Sequence, residues 1–406
     1  MRHVVVVGSG IVGISVAGEL AKRAGMQVTV LERDTEMPRG STTFAPGFVG
    51  QYNDVPLLSE LAERSMAVYD TAGPAFTRSG GMELATSDRG ANELERRVRA
   101  SVSLGLEASM LAGGGIPESI AAFVDSTQIV AAAYFPRDGV TKTTELIATL
   151  RAQAVSAGAH FLSGQEVTGI DCGSGQVTVS AASGEKFNAD DLILAGGVWG
   201  PTLAGLVGLE LPLFPVSHPY VYSGRNRDLS PGPFVRWPDR HIYARTHTAT
   251  LGIGSYDHHP VAVTQNALTD GASLNWLKSF DPVIDSAMSV LRRKARFQPD
   301  RRINGVFAMT PDNLPFLGPH PAFSNVWIAQ AIWVTHAAGA ASLLAQSLAD
   351  SIDLPSQLRV DRFGNRESNA LRGAALRLYR DIYSNDSLDV PEIESSSWNE
   401  KDALGA

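Results

Sequence analysis

The chain has 406 residues, of which 44% are hydrophobic and 19% charged, and its formal net charge is -8 at pH 7. This length predicts two domains, and the negative charge argues against a nucleic-acid or anionic-membrane partner, because either would require a basic surface. Cys172 is the only cysteine, which excludes an intramolecular disulfide and a cysteine-based metal site.

Small molecules are therefore the expected partners, and we expect no metal site. No apolar run approaches the roughly 18 residues of a membrane span, and the opening "MRHVVVVGSG" leads into a glycine motif instead of a signal-peptide cleavage site. We expect no membrane span and a cytoplasmic location. The sequence leaves a homo-oligomer open.

The first motif of the chain predicts a dinucleotide site. The β-branched run at residues 3–7 indicates a buried parallel strand, and Gly8, Gly10 and Gly13 follow it as G-x-G-x-x-G before a helical segment. A second strand ends at Glu32, nineteen positions after Gly13. Glycines of this spacing permit the tight turn and let the backbone approach a pyrophosphate, and the acid accepts hydrogen bonds from a ribose. The pattern does not distinguish NAD from FAD.

The next motif, "MPRGSTTFAPGFVGQYN", lies at residues 37–53, and further along the chain come "AGGVWG", "SHPYV", "IYARTHTATLGIGSYDHHP", "INGVFAMTPDNLPFLGP" and "AIWVTHAAGAA". Together with the glycine turn, these segments resemble the dimethylglycine oxidase and dehydrogenase flavoproteins, relatives of sarcosine and D-amino-acid oxidases. The resemblance spans most of the chain and implies FAD. A serine- and threonine-rich turn is the alternative interpretation of residues 40–47.

The resemblance implies an α/β fold with a Rossmann-like FAD-binding domain of glutathione-reductase type, interleaved with an α+β substrate domain that contains an antiparallel sheet. We assign residues 1–79, 136–212 and 301–406 to the discontinuous FAD-binding domain. Residues 80–135 and 213–300 are assigned to the substrate domain. A helix is expected to begin near His336, with its amino terminus directed at the flavin pyrimidine, as the resemblance implies.

Phe44 departs from the pattern of these relatives, which commonly carry at this position a histidine that is covalently attached to the flavin. A phenylalanine has no nucleophile, so we expect non-covalent FAD. Cys172 lies in a predicted hairpin distant from the flavin and does not replace the missing attachment point.

The predicted cofactor contacts lie in the glycine turn, the segment after the second strand, and later loops. Hydroxyl groups at residues 41–43 suit pyrophosphate and ribityl oxygens, and Gly47 permits close backbone approach to the ring. The complete set is Gly8, Gly10, Ile11, Val12, Gly13, Glu32, Arg33, Gly40, Ser41, Thr42, Thr43, Phe44, Ala45, Pro46, Gly47, Val167, Ala195, Gly196, Trp199, Pro311, Asp312, Trp333, Val334, Thr335 and His336. For Arg33, a solvated surface role is the alternative.

His218 of "SHPYV" and Tyr243 of "HIYAR" are the catalytic candidates, since the resemblance places both positions at the active site. Hydride leaves a carbon next to nitrogen readily only when the amine is neutral, so a substrate ammonium must lose a proton. His218 would accept or relay that proton and Tyr243 would assist. Tyr220, Tyr256 and Arg245 are the predicted substrate-binding residues.

A substrate carboxylate would favour an arginine, for which Arg245 and Arg236 are candidates, and Arg245 shares a strand face with Tyr243 only if no bulge intervenes. The adjacent His258 and His259 are interpreted as a turn rather than a metal site.

We therefore expect a stand-alone FAD-dependent enzyme that oxidises the C–N bond of an N-methylated or secondary amino acid to an imine, which is hydrolysed to an amine and an aldehyde. Oxygen or another acceptor would reoxidise the flavin. Two alternatives remain: a D-amino-acid oxidase or dehydrogenase, and a flavin-bearing subunit of a hetero-oligomeric amine dehydrogenase.

Overall fold

The computed structural model describes residues 1–36, 39–112, 115–173, 175–268 and 274–382. Met37 and Pro38, which open the second motif, lie outside these ranges, as do residues 383–406 of the predicted FAD-binding domain.

Twenty strands are present in the described residues. They are β1 (Arg2–Val7), β2 (Met26–Leu31), β3 (Phe48–Val49), β4 (Phe76–Thr77), β5 (Gly81–Ala85), β6 (Ser109–Met110), β7 (Ala131–Phe135), β8 (Gly139–Thr141), β9 (His160–Leu162), β10 (Val167–Cys172), β11 (Val177–Ala181), β12 (Lys186–Ala189), β13 (Asp191–Leu194), β14 (Phe214–Tyr222), β15 (Phe234–Trp237), β16 (Ile242–His247), β17 (Thr250–Ser255), β18 (Arg301–Met309), β19 (Phe316–Pro319) and β20 (Val326–Gln330).

The same residues form ten α-helices. They are α1 (Ile11–Ala21), α2 (Ser41–Phe44), α3 (Pro56–Tyr69), α4 (Asp88–Ser103), α5 (Glu118–Ala121), α6 (Thr143–Ser156), α7 (Gly200–Gly205), α8 (Asp281–Met288), α9 (Ala337–Asp350) and α10 (Ser368–Arg380).

The first sheet is six-stranded and has the order β19-β20-β13-β1-β2-β9. Its strands are parallel except at the β19–β20 edge. The four consecutive valines of β1 are buried, as expected for a parallel strand that is covered on both faces. Helices α1, α6 and α9 pack on one face, and the small sheet β10-β11-β12 covers the other. This is the predicted Rossmann-like unit.

The second sheet is eight-stranded, with the order β18-β14-β17-β16-β15-β5-β7-β6. It is antiparallel except where β15 runs parallel to β5. One face packs against α8 and the residues around Phe123, and α10 contacts β14 and β18 on the other. The predicted fold class, a Rossmann-like domain combined with an antiparallel sheet, is therefore confirmed.

One local expectation changes in the structure. The sequence of residues 91–124 predicts a mainly helical segment, but α4 ends at Ser103 and is followed by the short strand β6 and the single turn α5. Glycine at position 105 has φ +76°, which terminates the helix with a left-handed residue. The domain division stays a prediction, although the pairing of β18 with β14 along nine residues favours a boundary after Met309 instead of residue 301.

Candidate active site

A cleft of about 1440 Å³ runs between the two sheets. The structure brings to its walls every predicted cofactor-binding residue except Gly13 and Pro311. His218, Tyr220, Tyr243 and Tyr256 also line it, whereas Arg245 does not. Residues separated by more than 300 positions in the sequence thus meet in one cavity.

The glycine turn forms one end of the cleft. Gly8 has φ +105°, and a Cβ there would lie 2.5 Å from the carbonyl oxygen of Ala195. A Cβ at Gly13 would overlap the carbonyl oxygen of Gly8, so Gly13 supports the turn from behind without lining the cleft. A Cβ at Gly10 would meet only Thr42 Oγ1, at 3.5 Å, because this glycine faces open space. That space, at the amino terminus of α1, suits a pyrophosphate.

Glu32 follows β2 beside this turn. The backbone N–H groups of Ser9 and Arg33 donate to its two carboxylate oxygens at 2.7 and 2.8 Å. The guanidinium of Arg33 lies 4.1 Å from the centre of the Trp199 ring. The backbone thus orients the carboxylate at the cleft wall, and Arg33 has an aromatic partner in the cleft instead of the purely solvated position considered from the sequence.

Residues 40–47 form a fixed wall that includes the short helix α2. Ser41 Oγ donates to the Val306 carbonyl at 2.8 Å, and Thr42 Oγ1 accepts from the Ile11 N–H at 3.3 Å. Gly47 has φ +82° and is so close to the Thr141 carbonyl that a Cβ could not be accommodated. The wall is therefore held by β18, by α1 and by the strand that ends at Thr141.

Arg245 holds this wall from the outside. Strands β16 and β17 pair without a bulge, so Arg245 and Tyr243 do share a face of the sheet. The Nη1 atom of Arg245 nevertheless donates to the carbonyl oxygens of Pro46 and Thr141. These contacts favour a role for Arg245 in holding the wall of residues 40–47, rather than the predicted contact with substrate.

The start of α9 forms the opposite wall. A 3₁₀ turn at Val334–His336 precedes the helix, Thr335 Oγ1 donates to the Phe48 carbonyl at 3.2 Å, and Tyr69 donates to the Val334 carbonyl at 2.6 Å. Burial lowers the pKa of His336 to about 4, so its ring is neutral at neutral pH. The N-terminal end of α9 therefore faces the cleft with its positive dipole end and without a charged histidine.

Asp312 reaches the cleft through a tight turn. Its carboxylate accepts from the Leu314 N–H at 3.0 Å and pairs with Arg362 at 2.7 Å. Asn313 has φ +61°, the left-handed conformation that asparagine tolerates well. Pro311 precedes this turn and does not line the cleft.

His218 and Tyr243 form the polar centre of the other end of the cleft. They lie on β14 and β16, two strands apart, and His218 Nε2 is 2.7 Å from the Tyr243 hydroxyl oxygen. Each residue is only 2% exposed. Burial, assisted by nearby His258, lowers the pKa of His218 well below its usual value. The imidazole is therefore neutral at neutral pH, so that one of its two ring nitrogens can accept a hydrogen bond.

Aromatic rings surround this pair. The ring of Tyr256 lies 4.5 Å from that of His218, and those of Tyr220 and Phe234 stack against Tyr243 at 5.6 Å each. Sequence reasoning missed Phe48, Phe234 and Phe307 in this wall, because phenylalanine in a strand gives no signal that separates it from the core. A ring of aromatic faces suits an alkylated ammonium group.

A buried ionic network lies beyond these rings. Glu83, 1% exposed, accepts from Arg97 Nε at 2.9 Å and pairs with Arg236, whose guanidinium lies 4.5 Å from the Phe48 ring. Burial alone would raise the pKa of Glu83, but Arg97 and Arg236 outweigh burial and hold it below its usual value. Burial raises the pKa of the adjacent Asp138 to about 7. Arg236 thus reaches the cleft already paired with a carboxylate.

His258 lies in a bend after β17, and the centre of its ring is 6.5 Å from that of His218. The described residues contain no group of three or more histidine, cysteine, aspartate or glutamate side chains that could hold a metal ion. His258 Nε2 is 2.8 Å from the hydroxyl of Tyr379, which is in turn 2.6 Å from His218 Nδ1. Sequence reasoning missed both of these contacts.

The donors and shape of the cleft suit FAD. The glycine turn and α1 can hold the pyrophosphate, Glu32 the adenosine ribose, and residues 40–47 together with 333–336 can enclose the ring system at the aromatic end. A family model described as FAD dependent oxidoreductase, DAO, matches residues 3–347. The chain belongs to this family. Its cofactor is FAD, bound without a covalent link as is typical of the family.

Several curated proteins are similar in sequence. Human mitochondrial dimethylglycine dehydrogenase is 26% identical over 84% of this chain and 42% of its own length. Mouse mitochondrial sarcosine dehydrogenase is 24% identical over 80% of this chain and 37% of its own length. Glycine oxidase of Geobacillus kaustophilus is 27% identical over 80% of this chain and 86% of its own. The chain thus spans about two fifths of the two dehydrogenases.

Solved structures of the same fold are also similar. L-proline dehydrogenase from P. horikoshii superposes with a TM-score of 0.78 at 21% identity, over 89% of this chain and 97% of that one. Glycine oxidase from Geobacillus kaustophilus gives 0.73 at 22% identity, over 89% and 99%. These likenesses show the fold, and the family match identifies the chain as an FAD-dependent oxidoreductase. Among the described residues, every helix is too short or too polar to span a lipid bilayer.

Proposed function

We propose that this protein oxidises the C–N bond of an N-methylated or secondary amino acid to an imine, which water hydrolyses to an amine and an aldehyde. The observation that carries the proposal is the buried, neutral His218, hydrogen-bonded to Tyr243 within a ring of aromatic side chains at the cleft. The dehydrogenase relatives, named for dimethylglycine and sarcosine, support the same substrate class.

The proposed role of the His218–Tyr243 pair is to bind and deprotonate the substrate ammonium. In this role the substrate proton passes through the Tyr243 hydroxyl to the neutral His218 imidazole. Because burial lowers the pKa of His218, the positive charge is unfavourable there and the proton must leave the ring again. FAD supplies the hydride acceptor when bound. The aromatic faces of Tyr220 and Tyr256 would hold the alkyl groups of the amine and exclude water from the reacting carbon.

Arg236 is the better candidate for the substrate carboxylate than Arg245. It lines the cleft, and a series of ring contacts through Phe48 and Phe234 joins it to Tyr243. Arg245 lies behind the wall of residues 40–47 and donates to the carbonyl oxygens of Pro46 and Thr141. An Arg236→Lys variant, which keeps charge but loses the planar fork, is expected to raise KM more than it lowers kcat.

Anaerobic reduction of the bound flavin tests the proposal. Matched pairs of amino acids with and without an N-methyl group, such as sarcosine against glycine and N-methyl-D-alanine against D-alanine, are mixed with the purified protein and the loss of flavin absorbance is timed. We expect faster reduction by the N-methylated member of each pair. Reduction only by the primary amines would refute the proposal.

Oxidation of a primary amino acid is the second candidate function. It is favoured by the match to glycine oxidase, which extends over 86% of that protein's length. The same panel separates the two candidates, because a primary-amine enzyme would prefer the unmethylated member of each pair. Turnover by the purified single chain would exclude the third alternative, a flavin subunit that is inactive alone.

A further inference from the structure

Four side chains form a continuous hydrogen-bonded series that starts at the cleft and runs through the protein interior. Tyr243 is 2.7 Å from His218 Nε2, His218 Nδ1 is 2.6 Å from Tyr379, and Tyr379 is 2.8 Å from His258 Nε2. His258 Nδ1 is 2.8 Å from the carbonyl oxygen of His259. Tyr243 and His218 line the cleft, but Tyr379 and His258 do not.

The carbonyl at the far end fixes the direction of every hydrogen bond. A carbonyl oxygen only accepts, so His258 carries its hydrogen on Nδ1, and its neutral ring accepts at Nε2 from the Tyr379 hydroxyl. The oxygen of Tyr379 then accepts from His218 Nδ1, which leaves His218 Nε2 to accept from Tyr243. All four hydrogens therefore point away from the cleft.

The series ends close to the surface. His258 is 9% exposed, while its neighbours Asp257 and His259 are exposed. His218 is 2% exposed and Tyr379 is fully buried. A positive charge is therefore less costly on His258 than on His218, because water and the Asp257 carboxylate are nearer.

We propose that Tyr379 and His258 form a proton relay which removes from the active site the proton that the substrate ammonium loses. This inference rests on the proposed function, since it needs an amine substrate. Neither residue contacts the cleft, so each acts through His218 and Tyr243 as a relay residue rather than as a catalytic residue.

The proton transfers balance. The substrate N–H proton passes to the Tyr243 oxygen while Tyr243 gives its hydrogen to His218 Nε2, His218 gives its Nδ1 hydrogen to Tyr379, and Tyr379 gives its hydrogen to His258 Nε2. The result is a neutral amine in the cleft and an imidazolium at His258. No electron moves in this step, and each intermediate group regains the hydrogen count with which it began.

The groups that face the relay set where the proton is held. Burial lowers the pKa of His258, the His259 carbonyl and the Asp257 carboxylate oppose this effect, and the His259 ring lowers the pKa further. The titratable rings packed against the relay include Tyr256, whose ring centre lies 4.5 Å from that of His218 and 5.4 Å from that of Tyr379, and Tyr220, whose ring centre lies 5.6 Å from that of Tyr243. The Asp257 carboxylate lies beside His258, at the outer end of the relay, and favours the protonated form of that ring.

A Tyr379→Phe variant tests the relay through its pH profile. The variant lacks the hydroxyl that joins the histidines, so flavin reduction at neutral pH should slow by about tenfold or more. At a pH above the pKa of the substrate ammonium the amine arrives neutral, and the rate should return to that of the parent enzyme. Equal slowing at every pH would reduce Tyr379 to a structural role and overturn the proposal.

Tyr222→Phe is the matched control. Tyr222 is a half-buried tyrosine of β14 that packs on Arg301 at 4.0 Å and does not line the cleft. The substitution removes a tyrosine hydroxyl that is not part of the relay and should leave the pH profile unchanged. A profile shifted equally in both variants would also overturn the relay.

Histidine tautomers give a second measurement that does not depend on turnover. In ¹⁵N spectra of the oxidised holoenzyme, His218 and His258 should both carry hydrogen on Nδ1, with assignment by His258→Asn and His218→Asn variants. Hydrogen on Nε2 of either ring refutes the relay direction even where the amine panel supports the proposed function. Failure of the parent enzyme to react with any amine refutes the proposed function, while the tautomers still decide the direction.

Discussion

The Nε2 atom of His218 lies 2.7 Å from the hydroxyl oxygen of Tyr243, although the two residues are on strands that are not adjacent in the sheet. Strand β17 separates them and contributes Gly254, which is paired with Tyr243 on one side and with Tyr220 on the other, and a Cβ there would approach the Tyr243 hydroxyl to 2.5 Å. A glycine in the middle strand therefore permits a hydrogen bond across it. The contact between the Tyr243 hydroxyl and His218, the proposed proton acceptor, depends on this close approach.

Loss of the His218 acceptor should slow chemistry more than binding. In His218→Asn the amide cannot take up a proton, so we expect flavin reduction at neutral pH to fall by about 10²- to 10⁴-fold, with a smaller change in substrate affinity. Stopped-flow reduction over a range of amine concentrations separates the two effects. A variant with the parent rate and weakened affinity would show that His218 only binds substrate.

Gly13→Ala should weaken FAD binding through the turn. The added methyl group would overlap the Gly8 carbonyl, and accommodating such a clash costs about 1–3 kcal/mol. Fluorescence titration of the apoprotein with FAD measures the effect. Gly18→Ala, in the same helix, is the control: its Cβ would lie 3.6 Å from that of Ala154, an ordinary contact, and FAD affinity should not change. Equal affinities for all three proteins would contradict this role of the turn.

Local sequence was sufficient for this part of the molecule. The glycine turn, α1, β2 and Glu32 are continuous in the chain, and their spacing alone predicts which backbone groups meet a nucleotide. The ionic network of Glu83, Arg97 and Arg236 could not be predicted in the same way, because it depends on the pairing of β5 with β15 across about 150 residues. Charge in a sequence does not say which carboxylate will be buried beside which guanidinium.

Tyr379 shows the same limit at the active site. Leu371, Ala375 and Tyr379 recur at helical spacing and are buried together on one face of α10, so the pattern predicts a core tyrosine. Only the packing of α10 on β14 brings its hydroxyl to His218, 161 positions earlier. A core tyrosine and a relay tyrosine look identical in sequence.

Glu83→Gln should destabilise the fold strongly. The substitution removes the buried carboxylate that Arg97 and Arg236 share and leaves Arg97 with its pair to Asp54; breaking a buried ion pair typically costs about 3–5 kcal/mol. Urea unfolding measures the difference. Glu95→Gln breaks the exposed pair with Arg99, at 3.5 Å, and should change the free energy of unfolding by less than about 1 kcal/mol. Similar losses in both variants would contradict the importance of burial.

Asp138 should make the stability of the protein depend on pH in a defined direction. Burial raises the pKa of its carboxyl from 3.8 to about 7 in the folded protein, so between these values the native state binds more protons than the unfolded state. The contribution of the Asp138 carboxyl to the free energy of unfolding is fully present below pH 3.8 and is lost as the pH rises to about 7. An Asp138→Asn variant, which keeps an oxygen for the Gln51 N–H, does not titrate.

The free energy of unfolding of Asp138→Asn relative to the parent should therefore rise between pH 4 and pH 7 and stay level above pH 7. Urea unfolding of both proteins at pH 5, 6, 7 and 8 measures the difference directly and cancels the other titrating groups. A difference that is independent of pH would show that the Asp138 carboxyl titrates normally.

Acid precipitation tests how FAD is held at Phe44. Phe44 lines the cleft and offers no atom that can form a bond to the flavin, and the wall of residues 40–47 is held by hydrogen bonds to β18 and α1. Denaturation should therefore release the yellow colour into the supernatant, where its spectrum identifies FAD. Phe44→Leu, which keeps an apolar side chain but removes the ring, should release FAD in the same way and bind it more weakly. Colour retained in the pellet of the parent protein would mean that another side chain forms the covalent link.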